Sequence, residues 1–168
     1  MFQINDVIVY GTQGVCKIAG TEEKSVGGKK KTYFVLIPVN DPGSTFFLPV
    51  DNELVLKKMR RLLTKDEIHK LIDSMSEENP LWVENENERK ELYKRILAEG
   101  DHLELTQMVK AIYAHKKERE AAGKRLHISD EHFFKDAEQI LYNEFQYVLD
   151  IKNKADLITY IFKRLEKQ

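Results

Sequence analysis

Any chemistry in this chain has to come from side chains able to hold a proton, a metal or a phosphate. The five histidines are His69, His102, His115, His127 and His132. None forms an HExxH pair, and no two are spaced to grip one metal from one helix face. His127 and His132 straddle an expected helix start and read as surface histidines. Gly27-Gly28 lacks the Gly-Lys-Ser/Thr ending and the following helix of a phosphate loop. There is no Gly-x-Ser-x-Gly elbow, and the single Cys16 has no His partner in the pattern. Placed mid-strand, Cys16 reads as a small buried hydrophobe. The residues therefore point to no enzyme, no catalytic group, no metal, no cofactor and no small-molecule substrate.

Binding chemistry is better represented. Between 110 and 127 the chain carries Lys110, Lys116, Lys117, Arg119, Lys124 and Arg125 against Glu118 and Glu120. Cations so grouped on a helix end and loop neutralise phosphates and release counterions; a solvated helix face explains them equally well. Lys57, Lys58, Arg60 and Arg61 form a second group, read as flanking a linker. Lys24 and Lys29-Lys30-Lys31 surround a hairpin and read as its solvated tip. Trp82, the only tryptophan, follows Pro80 at the mouth of a helix. Packing as a core or staple residue is the reading physics favours. The alternative is an apolar wedge for a minor groove or an unstacked base.

These residues need elements to position them. At 168 residues, with 42% hydrophobic and 33% charged, the chain suits one ordinary globular domain or two small ones. A formal net charge of −1 gives no whole-molecule attraction to nucleic acid. No apolar run is long enough to cross a bilayer and no signal-peptide pattern opens the sequence, so the expected location is cytoplasmic.

Up to about residue 60 the pattern is that of strands. Val7-Ile8-Val9-Tyr10 is β-branched and aromatic, and Gly11 and Gly14 bracket a turn. Val15 to Ala19 returns as the partner strand. Gly27-Gly28 tips a hairpin, Tyr33 to Ile37 is a strong strand, and Phe46-Phe47-Leu48-Pro49 is another, with Pro49 marking a sheet edge. Leu54-Val55-Leu56 is expected to close a small SH3-like or Tudor-like barrel. From Leu62 the period changes from 2 to 3.6. Thr64 to Glu67 is a capping box, followed by Ile68, Leu71, Ile72 and Met75 on one face, with a break at Glu77-Glu78-Asn79-Pro80. A helix from about Glu84 to Ala98 turns Leu92, Ile96 and Leu97 inward and ends at Gly100. Asp101 to Glu104 is a second capping box, leading a helix with Leu105, Met108, Val109 and Ile112 inward. Ser129 is expected to cap the next helix, with Phe133, Phe134, Ala137, Ile140, Leu141, Phe145 and Val148 on its face. The last helix uses Ile158, Ile161, Phe162 and Leu165. Strands followed by helices predict an α+β chain of two segregated units: a β-barrel at 1–60 and an all-α domain of about five helices at 61–168, hinged near 57–63.

The pattern Phe2…Asp6-Val7-Ile8-Val9-Tyr10…Gly14-Val15…Ile18, then Tyr33-Phe34-Val35-Leu36, then Leu48-Pro49-Val50, resembles the RNA-polymerase-interacting domain of the CarD family, bacterial transcription regulators that share this domain with the transcription-repair coupling factor. Trp82, Arg89, Gly100-Asp101, Glu118-Arg119 and Ala137…Gln139-Ile140-Leu141…Glu144 extend the resemblance to about residue 149. It implies a Tudor-like domain that binds the RNA polymerase β subunit. It also implies a helical domain that contacts promoter DNA in the minor groove at the upstream edge of the bubble and stabilises the open complex. On that carry-over Trp82 is the wedge, and Arg89, Lys90 and Lys94 contact phosphates; the local charge noted above adds Lys116, Lys117, Arg119, Lys124 and Arg125 as candidate DNA contacts. Lys24, Phe46, Phe47, Leu48 and Pro49 meet polymerase by β-augmentation. Phe47 stands where some relatives carry an arginine. Trp82 lies about one helical turn earlier than in some relatives, and Glu84, Glu86 and Glu88 follow it where relatives are often basic. The competing expectation is a protein–protein interaction module without DNA binding.

Overall fold

The computed structural model describes residues 1–77 and 81–167. The chain divides into two units, Met1–Leu62 and Leu63–Gln168.

The first unit is a five-stranded antiparallel sheet in the order β4-β3-β2-β1-β5. Its strands are β1 (Val7–Tyr10), β2 (Gly14–Val26), β3 (Lys29–Pro38), β4 (Phe46–Pro49) and β5 (Met59–Arg61). One face buries Ile8, Cys16, Ile18, Leu36, Leu48 and Met59, with Phe34 and Phe46 packed against them. A register shift between Ile18 and Gly20 bends β2.

Two expectations are corrected here. The sheet is open, ending at β4 and β5, and no barrel closure is found among the described residues. Leu54-Val55-Leu56 is not its last strand but part of a short helix, α1 (Glu53–Leu56). The cause is Asn52, whose side chain accepts from the Leu54 and Val55 N–H groups at 3.1 and 3.3 Å and caps a helical turn. Val55 and Leu56 still pack on the sheet core, and the strand role falls to Met59–Arg61, paired with Ile8 to Tyr10.

The second unit contains, among the described residues, α2 (Lys65–Ser74), α3 (Glu86–Glu99), α4 (His102–Ala121), α5 (Ile128–Leu149) and α6 (Lys154–Glu166). The Thr64–Glu67 capping box is complete: Thr64 Oγ1 accepts from the Glu67 N–H at 3.2 Å, and Glu67 Oε2 from the Thr64 N–H at 2.8 Å. Gly100 closes α3 at φ 69°. Asp101 caps α4 through the Glu104 N–H, while the Glu104 carboxylate meets Arg95. Ser129 is not a cap: α5 begins at Ile128 with His127 in the cap position, two residues earlier, and with no side-chain cap bond. Phe162, expected inward, is exposed on α6. The core joins Ile68 and Ile72, Tyr93 and Ile96, Leu105 to Ile112, Ala137 to Phe145, and Leu157 and Ile161. The expected break at Glu77–Pro80 lies, from residue 78 on, outside the described residues. Among the described residues no helix is long and apolar enough to cross a membrane.

Candidate functional site

In the first unit, the alternation of a strand sorts β4 into two faces. Phe46 and Leu48 pack into the core, and Phe47 points outward, 38% exposed. β4 pairs with β3 on one side, and among the described residues its other backbone edge carries no strand. Lys24 reaches over from β2 and sets its Nζ 3.2 Å from the centre of the Phe47 ring. The structure thus brings Lys24 and Phe47–Pro49 to one open edge. The opposite end strand is finished differently. On β5, Arg60 Nη1 donates to the Arg61 carbonyl at 3.3 Å and Arg61 Nη1 to the Leu62 carbonyl at 2.9 Å. Side chains there occupy backbone acceptors that a pairing strand would need.

In the second unit, Trp82 is half-buried against the helical core. The His115 ring of α4 stacks on it, with centroids 3.7 Å apart and planes 18° from parallel. The Arg89 guanidinium lies 4.3 Å from its ring. Arg89 is itself 3% exposed and tied on every side. Its Nε and Nη2 donate to the two Asp130 carboxylate oxygens at 2.9 Å each, and Nη1 donates to the carbonyls of Val83 and Glu84 at 2.8 and 3.2 Å. Burial works against the guanidinium charge, but Asp130 outweighs it and raises the Arg89 pKa above its ordinary value. Burial also holds the His115 pKa below its usual range, and Arg119 and Arg89 lower it further against Asp130 and Glu118. The indole Nε1 and the Tyr93 hydroxyl are buried without a hydrogen-bond partner among the described residues.

The other cations of the helical unit lie on its surface. Lys90 pairs with Glu86 at 2.8 Å, and Lys94 with Glu91 at 3.8 Å. At the end of α4, Lys117 meets Glu120 at 3.9 Å and Lys116 lies 5.9 Å from the Phe134 ring. Arg119 Nε donates to the Arg125 carbonyl at 2.6 Å, fixing the α4–α5 turn from which Lys124 and Arg125 project, both exposed. The structure therefore gathers Lys116, Lys117, Lys124 and Arg125 at one helix end, and places Arg89 in the interior rather than beside Lys90 and Lys94.

Sequence reasoning missed the Asp130 partnership and the His115 stack. In the sequence Asp130 is one more first-turn acid of a helix. Its one visible signal was an Asp beside Ser129 on a helix whose apolar face begins only at Phe133. Among the described residues no three His, Cys, Asp or Glu side chains converge to hold a metal.

Residues 2–63 match the family model of the CarD-like/TRCF RID domain. That span is the whole open-sheet unit from Phe2, so the N-terminal unit is a CarD-like RNA-polymerase-interacting domain. The match ends where the helical unit begins. No curated protein matches the chain.

Proposed function

We propose that this chain is a non-enzymatic transcription regulator that docks on the β subunit of bacterial RNA polymerase through its N-terminal unit. The observation that carries the reading is the RID match over residues 2–63 on a sheet whose β4 edge is unpaired among the described residues. A strand of the partner adds along β4 through main-chain hydrogen bonds, and Phe47 with Lys24 above it reads the partner's side chains. In this reading the helical unit contacts promoter DNA through Lys116, Lys117, Lys124 and Arg125, with Lys90 and Lys94 on α3. Trp82 and Arg89 support that surface from within. Promoter opening is favoured by linkage, because a protein that binds the open complex more tightly than the closed one shifts the balance by the ratio of the two affinities.

A second reading, a polymerase-tethered module whose helical unit binds protein, is favoured by charge. Residues 63–168 carry 22 Asp and Glu against 18 Lys and Arg, and Glu84, Glu86 and Glu88 crowd the entry to α3.

The test is open-complex lifetime on a defined promoter with purified polymerase and the full chain. The first reading expects a longer lifetime, lost on Phe47→Glu together with polymerase binding. Polymerase binding without any change in lifetime selects the second. No polymerase binding by the wild type overturns both.

A further inference from the structure

Beyond the sheet, β2 and β3 continue as a ribbon of two strands. Pairing of β3 with β4 starts at Tyr33↔Pro49, and β1 reaches β2 only as far as Lys17. Glu23 to Val26 and Lys29 to Thr32 therefore pair with each other alone, joined at the base by the Val50 N–H to Thr32 carbonyl bond. Gly27 and Gly28, at φ 59° and 78°, make the tight turn whose twist suits such a ribbon.

Its charge is sorted along its length. Glu22 and Glu23 sit at the base, opposite Tyr33 and Thr32, while the outer half holds Lys24, Lys29, Lys30 and Lys31. Lys24 stands directly across from Lys31, a like-charge pair that opposes the ladder it sits in. Lys24 turns to the Phe47 ring. Lys29, Lys30 and Lys31 are exposed, and among the described residues none of them has a carboxylate partner. Because strand side chains alternate, Lys29 and Lys31 lie on one face and Lys30 on the other. The tip is thus cationic on both faces.

A flat acidic protein surface would use one face of such a ribbon and leave the other unmatched. Two rows of phosphate flanking a groove match both, and the major groove admits a two-stranded ribbon. The unit around it has the right sign as well: residues 1–62 carry nine Lys and Arg against six Asp and Glu. We propose that the β2–β3 ribbon is a duplex-DNA contact of the N-terminal unit, in which Lys29, Lys30 and Lys31 neutralise backbone phosphates without reading sequence. The proposal is independent of DNA binding by the helical unit.

The experiment measures affinity of the full chain for a fluorescent 30-bp duplex of arbitrary sequence by anisotropy, across a salt series. It compares wild type, K29A/K30A/K31A, and K116A/K117A/K124A, with polymerase binding followed in parallel. The ribbon lysines are exposed, so the triple variant is expected to keep its thermal midpoint. Each phosphate contact contributes about 0.9 to the slope of log K against log salt, so the ribbon variant should lose roughly 2 to 3 from it while still binding polymerase. An unchanged slope in the ribbon variant overturns the proposal, whatever the α4-end variant does. So does a wild type with no salt-dependent DNA affinity, or a ribbon variant that loses polymerase binding and keeps its DNA slope. Loss of slope in the α4-end variant alone supports DNA contact by the helical unit and sinks the ribbon.

Discussion

Phe47 and Trp82 are both aromatic rings under a cation, yet they belong to different kinds of structure. Over Phe47 the cation is Lys24, a flexible chain on an exposed ring at a sheet edge. Over Trp82 it is Arg89, fixed by two bonds to Asp130 and two to backbone carbonyls inside the helical unit. The first contact is strong only while no partner competes for either group. The second is framed by groups that would be left charged and unpaired if it came apart. A surface pair of this kind is worth about 0.5–1 kcal/mol, whereas breaking a buried ion pair costs about 3–5 kcal/mol. One ring is displayed; the other is part of the support.

The difference can be broken from its stronger side. Asp130→Ala leaves the Arg89 guanidinium buried without its carboxylate, and should cost about 3–5 kcal/mol in urea denaturation. A cost under about 1 kcal/mol would mean that the Arg89 cluster is not what holds Trp82. Next in size is Trp82→Ala. With the indole half-buried, the loss should be about 2 kcal/mol, below the 3–5 kcal/mol of a fully buried aromatic, and open-complex lifetime should change only as far as folding does. A lifetime collapse in a variant that folds normally would return Trp82 to the wedge role.

A pH series probes the same cluster. His115 has a lowered pKa in the folded chain, so its contribution is fully present above the ordinary His value of 6.5 and is lost as pH falls through the lowered one. Melting temperature should therefore fall from pH 7 toward pH 5, and His115→Gln should flatten part of that limb. His69 contributes to the same limb, its pKa lowered by burial, Arg164 and Lys65 against Asp66 and Asp73, with Nε2 hydrogen-bonded to the Tyr160 hydroxyl at 2.5 Å. The smallest expected effect on stability is at the displayed ring: Lys24→Ala should cost about 0.5 kcal/mol or less in melting experiments, and weaken polymerase binding far more than that.

The local signals were the legible ones. Thr64 with Glu67 and Gly100 after α3 each state a helix end within four residues, and Pro49 at the end of the apolar run Phe46 to Pro49 states an edge strand. What failed was decided by competition or by distance. Leu54-Val55-Leu56 is apolar enough for a strand, but the Asn52 cap at their door gives a helix. The resemblance put Arg89 with Lys90 and Lys94 as phosphate contacts; the Asp130 it is bonded to lies 41 residues away on α5 and went unseen. No periodicity encodes such a pairing. Ser129 failed as a cap because the helix starts two residues earlier, with His127 at φ −60° and ψ 143° in the cap position and Ser129 already inside α5.

Cys16 offers a different use of the fold. It is the only thiol of the chain, wholly enclosed in the sheet core, and burial pushes its pKa up to about 11. At neutral pH almost none of it is thiolate, so a thiol reagent reacts only when the sheet opens. The only tryptophan lies in the other unit. Labelling kinetics at Cys16 and fluorescence of Trp82 are therefore two native reporters, one for each unit. Without any substitution in the chain, they read whether the sheet and the helices unfold together or apart.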